Sequence, residues 1–374
     1  MDILGGRIAG TGTEVRVDGL GLRGMTRPSK ALDCGNSATT MRLLMGVLAG
    51  QPWESILFGD ASLTSRPMKR VAEPLGNTGA RFELAAGGRP PVKVFGRHPL
   101  KAQSYTLKVA SAQVKTALLL AGLFSEGETS VADPFLTRDH TERMLGFLSG
   151  GEAIRVEGDT IHIEPYLLKS DAQIAVPGDI SSAAYFAAAA ALLPGSEILL
   201  RDVLLNPTRL GFFDVLKDMG AVFQTLPKGE AGGEPFGDIQ INASSLKGVH
   251  VKASRVPKLI DEVPLLAVAA AQAHGETRID GLAELRLKES DRLSGTAEAL
   301  TSMGAEVRIE SDSLIIKGPA RLKGARIETH HDHRLAMAFS VAALTAEGDT
   351  YIEDADSASI SFPSFFEEFA RLTR

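Results

Sequence analysis

The chain repeats itself, and that repetition limits its fold more than any other feature. Segments of about 50–75 residues follow one order: an Ala-rich helix, a short turn, a strand, a polar loop, a second helix, a Gly-Ala turn, and closing strands. Residues 260–318 show it most fully, with a helix over 263–274, the turn Gly275-Glu276-Thr277 and a strand. A polar loop and a helix over 292–303 follow, then Gly304-Ala305 and strands over 306–310 and 313–317. Apolar spacing and Ala content predict the helices; β-branched alternation bounded by Gly and Asp predicts the strands.

The same order returns in 177–223, 111–163 and 36–84, while 333–374 stops after its second helix, giving five copies. Residues 1–19 match only the tail of a unit, after its second helix. We therefore expect an α/β (α+β) protein of six βαβαββ-like repeats, the first truncated, with apolar surface exposed where a neighbouring element would lie. Three repeats per domain put an N-terminal lobe at 1–177 and a C-terminal lobe at 178–374, with the ligand site expected in the cleft between them. Residues 228–236, rich in Gly and Glu, read as a surface loop.

Composition narrows the function. A net charge of −6 over 374 residues argues against nucleic acid as a partner but leaves room for local cation clusters that focus an anionic substrate. One cysteine, Cys34, excludes an intrachain disulfide and suits a reducing cytoplasm. The apolar runs are too short and too Ala-rich to span a bilayer, and the first residues lack the pattern of a secretion signal.

Polar clusters recur at expected helix starts. Asp33-Cys34-Gly35-Asn36-Ser37-Ala38-Thr39 joins a small-residue turn to a helix, where backbone N–H groups favour an anion, although Gly-Asn-Ser there also serves as a plain cap. Ser111-Ala112-Gln113-Val114-Lys115 offers a hydroxyl and an amide, again readable as a cap. Arg66 sits in a loop ahead of Pro67, and Thr137-Arg138-Asp139-His140 is dense in charge, which on a helix also fits a solvated face. Asp261-Glu262 follows an apolar pair and precedes an uncharged helix, so one acid can be a helix-start charge and the other a general base. Lys288-Glu289-Ser290-Asp291-Arg292 can hold a phosphate or carboxylate while a carboxyl group moves a proton. His330-His331-Asp332-His333-Arg334 is discounted as a metal site, because neighbours on one turn do not converge on an ion. No Walker or Gly-x-Gly-x-x-Gly sequence supports nucleotide binding.

Taken together, residues 33–42, 110–115, 287–292 and 332–334 resemble the EPSP synthase family over essentially the whole chain. Ser111-Ala112-Gln113-Val114-Lys115, Arg138-Asp139-His140-Thr141-Glu142 and Ser361-Phe362-Pro363 are similar to its bacterial class II branch, known for glyphosate tolerance. Ala38 stands where glyphosate-sensitive members have Gly, and its methyl group would crowd that inhibitor.

The resemblance implies a two-lobe enolpyruvyltransferase-like fold with three repeats per lobe. It also implies transfer of the enolpyruvyl group of phosphoenolpyruvate to the 5-hydroxyl of shikimate 3-phosphate by addition–elimination, without cofactor or metal. By position, Ser111, Gln113, Arg138, Asp261 and Lys288 would hold shikimate 3-phosphate, with Asp261 also taking the hydroxyl proton. Asn36, Ala38, Arg66, Gln113, Arg292 and Arg334 would surround phosphoenolpyruvate, and Glu289 would exchange protons at its methylene carbon. A monomer is expected.

Two departures stand out: no Lys-Ser-x-Ser-x-Arg segment is present, and Ile360-Ser361 occupies the place of a lysine found in other branches. The competing readings are a catalytically impaired remnant that only binds ligand and an enolpyruvyltransferase acting on UDP-N-acetylglucosamine. That second enzyme uses a cysteine on a mobile loop, whereas Cys34 lies in the Gly-Asn-Ser turn.

Overall fold

A strand followed by a parallel neighbour needs a crossover connection, usually a helix, and the described residues use that device five times. The computed structural model describes residues 2–10, 12–166, 168 and 171–373; Met1 and Thr11 of the N-terminal repeat tail lie outside them. The chain forms two compact units, Met1–Ile174 and Ala175–Arg374.

In the first unit, strands Leu32–Asp33, Glu54–Phe58, Arg89–Phe95 and Arg81–Ala85 lie side by side in that order, the first pair parallel and the rest antiparallel. Strands Ser104–Thr106, Thr129–Ala132, Thr160–Ile163 and Ile154–Glu157 repeat the arrangement. In the second unit it returns in His250–Val251, Gly275–Ile279, Ser313–Gly318 and Glu306–Glu310. The sheet of Glu197–Leu204, Glu234–Asn242 and Val222–Ala231 opens with a single parallel bridge from Gly178 to Val203. A parallel pair, Arg326–Ile327 with Tyr351–Ile352, begins the last repeat. Arg7–Ala9 and Arg16–Asp18 form an antiparallel pair on which Ile8 and Val17 are exposed.

The crossover helices are the core. Ile180–Leu192, Val263–Gln272 and His333–Ala343 pack on one another in the second unit, and their alanines allow close approach while burying nearly every face. In the first unit Ala38–Ala49 lies against Ala112–Gly122 so closely that a Cβ on Gly46 would stand 2.2 Å from the Ala117 carbonyl oxygen. Because each crossover helix starts at the end of a strand, its N-terminus presents polar groups at one edge of its repeat.

The segment read as a surface loop at 228–236 is instead the tip of a β-hairpin, Val222–Ala231 with Glu234–Asn242. Gly232 and Gly233, at φ +61 and +84, make the two-residue turn whose twist matches paired strands, and the register shift near Pro227 absorbs the proline. The turn Gly275-Glu276-Thr277 likewise belongs to its strand.

Candidate active site

In the first unit, two crossover-helix starts carry the polar groups. Ser37 and Ser111 cap Ala38–Ala49 and Ala112–Gly122, each hydroxyl accepting from a backbone N–H of the first turn. Gly35 adopts φ +54, which turns the chain into the first helix, and Ala38 is buried where that helix begins. Asn36 donates to Asp60 Oδ2 at 2.7 Å, and Arg66 Nη2 donates to the Asn36 side-chain oxygen Oδ1 at 3.4 Å. The Asp60 carboxyl is drawn below its usual range: its partial burial acts against this, but the Leu63 N–H and the Asn36 amide prevail. Gln113 is held at both ends, accepting from Arg42 at 2.5 Å and donating to Thr39 at 2.6 Å.

Arg138 lies just ahead of helix His140–Ser149. Its loop is pinned from beneath by buried Lys115, whose ammonium meets Asp133 at 2.9 Å, Glu142 at 2.6 Å and the Thr137 carbonyl at 3.2 Å. Lys115 is one turn along from Ser111, so a single buried cation ties the Ser111–Gln113 helix start to the loop bearing Arg138.

The second unit concentrates its charge on a few buried groups. Asp261 Oδ1 faces Lys288 Nζ at 2.9 Å and Arg292 Nη1 at 3.5 Å, while Oδ2 faces Arg209 Nη1 at 4.0 Å. Arg292, 1% exposed, donates to Glu289 at 2.5 Å and to Asp332 at 2.7 Å, and since it also faces Asp261, one guanidinium joins the two carboxylates expected to move protons, Asp261 and Glu289. Arg334 donates to the Asp261 carbonyl at 3.2 Å and to Glu262 at 3.3 Å. Asp332 caps helix His333–Ala343 and accepts from Ser290 at 3.0 Å, linking the last crossover helix to the Lys288–Arg292 loop.

Burial and pairing pull against each other here, and pairing wins. Burial disfavours the charge of Arg334, but Asp261 and Glu262 raise its pKa above the usual range. Arg292 is raised in the same way by Asp332 and Glu289. Asp332 stays below the usual carboxylate range because Arg292 outweighs its desolvation. His333 goes the other way: burial, then Arg292 and Arg334, push it down to about 4, which keeps the ring neutral at physiological pH.

In the second unit the structure thus gathers Asp261, Lys288, Glu289, Arg292 and Arg334 into one network, and within the first unit it sets Asn36, Arg66 and Gln113 on helix starts and loops that contact one another. Arg42, Arg209, Ser181, Glu262 and Asp332 make the orienting contacts; the sequence pattern offers Glu262 as a possible helix-start charge or base, places Arg42 and Asp332 in the clusters that carry the resemblance, and singles out neither Arg209 nor Ser181. For Arg209 a signal existed: Arg66, Arg138, Arg209 and Arg292 stand at the mouth of the second helix in four successive repeats. Cys34 is buried and its thiol is pushed up to about 11, chiefly by burial and then by Asp33, as for an inert filler. His330 and His331 pair with Glu328 and Asp354, and among the described residues no group of three or more metal-ligating side chains converges.

This succession of βαβαββ repeats defines a class: the chain shares its fold with the enolpyruvyl transferase NikO from Streptomyces tendae (TM-score 0.72, 18% identity, 99% of this chain and 85% of that one). It is much nearer to EPSP synthase from Acinetobacter baumannii, with a TM-score of 0.87 and 44% identity over 99% of this chain and 85% of that structure. The 3-phosphoshikimate 1-carboxyvinyltransferases of Syntrophomonas wolfei and Bacillus licheniformis are 46% and 45% identical, each match covering 99% of this chain and 86% of the relative. The chain belongs to the EPSP synthase (3-phosphoshikimate 1-carboxyvinyltransferase) family, whose pattern matches residues 3–369.

Proposed function

We propose that the chain transfers the enolpyruvyl group of phosphoenolpyruvate to the 5-hydroxyl of shikimate 3-phosphate, giving 5-enolpyruvylshikimate 3-phosphate and phosphate. The observation that carries this reading is the bridge of Asp261 and Glu289 by the single buried Arg292, with Lys288 on the same Asp261 oxygen. An addition–elimination needs one acid–base group at oxygen and another at carbon, set a fixed distance apart.

Asp261 takes the proton of the attacking hydroxyl as its oxygen bonds to C2 of phosphoenolpyruvate, while Glu289 gives a proton to C3. Collapse then expels phosphate as Glu289 recovers a proton from C3, and the hydroxyl proton leaves with the phosphate. Lys288, with Ser111, Gln113 and Arg138, holds shikimate 3-phosphate; Arg66, Arg292 and Arg334, with Asn36 and the buried methyl of Ala38, surround phosphoenolpyruvate. Guanidinium forks suit such anions because they pair with phosphate and carboxylate oxygens two at a time. The chain acts as a monomer in the cytoplasm and needs neither cofactor nor metal; its one cysteine and the lack, among the described residues, of a helix able to cross a membrane fit that reading.

Deuterium exchange tests the Glu289 role. With both substrates in heavy water, the wild-type chain should place deuterium in the methylene group of product and recovered phosphoenolpyruvate. Glu289→Gln should cut this incorporation about a hundredfold or more. Undiminished labelling in that variant would remove Glu289 from the chemistry.

A further inference from the structure

Of the four repeat-equivalent arginines, three belong to the substrate set above, and Arg209 does not. It is 6% exposed, and its Nη2 donates to Ser181 Oγ and lies 3.4 Å from Glu262 Oε1. Ser181 Oγ in turn donates to Glu262 Oε1 at 2.5 Å, so hydroxyl, guanidinium and carboxylate close a buried triangle behind Asp261. From that anchor Nη1 faces Asp261 Oδ2 at 4.0 Å.

The other charges around Asp261 have different duties. Lys288 and Arg292 meet its Oδ1, and Arg334 holds its backbone carbonyl. Glu262 is its neighbour in sequence, Glu289 and Asp332 balance Arg292, and Asp179 lies in the field of Arg334. In the proposed reaction Lys288, Arg292 and Arg334 are drawn toward substrate phosphates and carboxylates. Arg209 is assigned to no substrate group, and it faces Asp261 from the buried Ser181–Glu262 anchor.

We propose that Arg209 is a positioning residue: anchored by Ser181 and Glu262, it keeps the Asp261 carboxylate ionised and fixed in angle throughout turnover. The inference rests on Asp261 being the proton acceptor. Removing a cation that faces a carboxylate raises the pH at which the carboxylate ionises, so the acidic limb of the rate profile must move upward.

The test is the pH profile of kcat/KM for wild type, Arg209→Met, Arg209→Lys and Ser181→Ala, each checked for folding by circular dichroism. Arg209→Met should lose about tenfold or more at pH 7, with its acidic limb displaced upward by about one pH unit. Arg209→Lys should return the limb most of the way, and Ser181→Ala should shift it upward by less. If Arg209→Met fails to fold, the other two variants still decide the matter. A limb that stays in place in Ser181→Ala and every folded Arg209 variant, or a loss equal at all pH values and not recovered by lysine, overturns the proposal. Asp261→Asn separates the two claims. An active Asp261→Asn removes the proton acceptor itself, whereas an inactive one beside an unshifted Arg209→Met removes only the role of Arg209.

Discussion

Arg292 shows how much of the second unit depends on one side chain. Three of its nitrogens face three carboxylates, Asp261, Glu289 and Asp332, and Asp332 is 0% exposed. Removing the cation strands a buried charge, so Arg292→Met should cost about 3–5 kcal/mol of stability. Arg292→Lys keeps the charge but loses the fork; its melting temperature should fall less while kcat/KM drops at least about a hundredfold. Lys115→Met in the first unit should show the same about 3–5 kcal/mol loss in denaturant titration, because Asp133 and Glu142 would lose a shared buried cation. His333 supplies a pH signature. Its pKa is depressed in the fold, so the unfolded chain binds more protons between about 4 and the ordinary 6.5. Stability should therefore decline as pH falls through that window, and His333→Gln should flatten the decline in urea titrations. An equal slope in both proteins would remove His333 as its source.

At the scale of elements, repetition in the sequence carried most of the information. Helix 292–303 and strands 306–310 and 313–317 were legible from spacing alone, and they stand within a residue or so of Arg292–Ser302, Glu306–Glu310 and Ser313–Gly318. The hairpin tip at 228–236 reads as a loop because its Gly and Glu content outweighs the Gly232-Gly233 turn signal between strands with little alternation. Close helix approach was not legible at all, since it depends on what stands opposite. Gly46 illustrates this: Gly46→Ala raises helix propensity, yet its Cβ would meet the Ala117 carbonyl oxygen at 2.2 Å. It should destabilise the first unit by about 1–3 kcal/mol, read as a lowered melting temperature. A rise would mean that the two helices can separate without cost.

Across the whole molecule, the candidate site was legible where it is built from helix starts and obscure where it is built from orientation. Asp261, Glu289, Arg292 and Arg334 follow from polar clusters beside apolar helices together with a family resemblance. The network that joins them does not, because which carboxylate a guanidinium meets depends on side-chain direction between residues as far apart as Arg292 and Asp332 or Arg334 and Glu262. Ser181 and Glu262, 81 positions apart, are the clearest instance. Membership of the EPSP synthase family fixes what should be measured first. The purified chain, given shikimate 3-phosphate and phosphoenolpyruvate, should release inorganic phosphate, and Asp261→Asn should release it at least about a hundredfold more slowly. No phosphate from the folded wild-type chain, or equal release from the variant, would contradict the account.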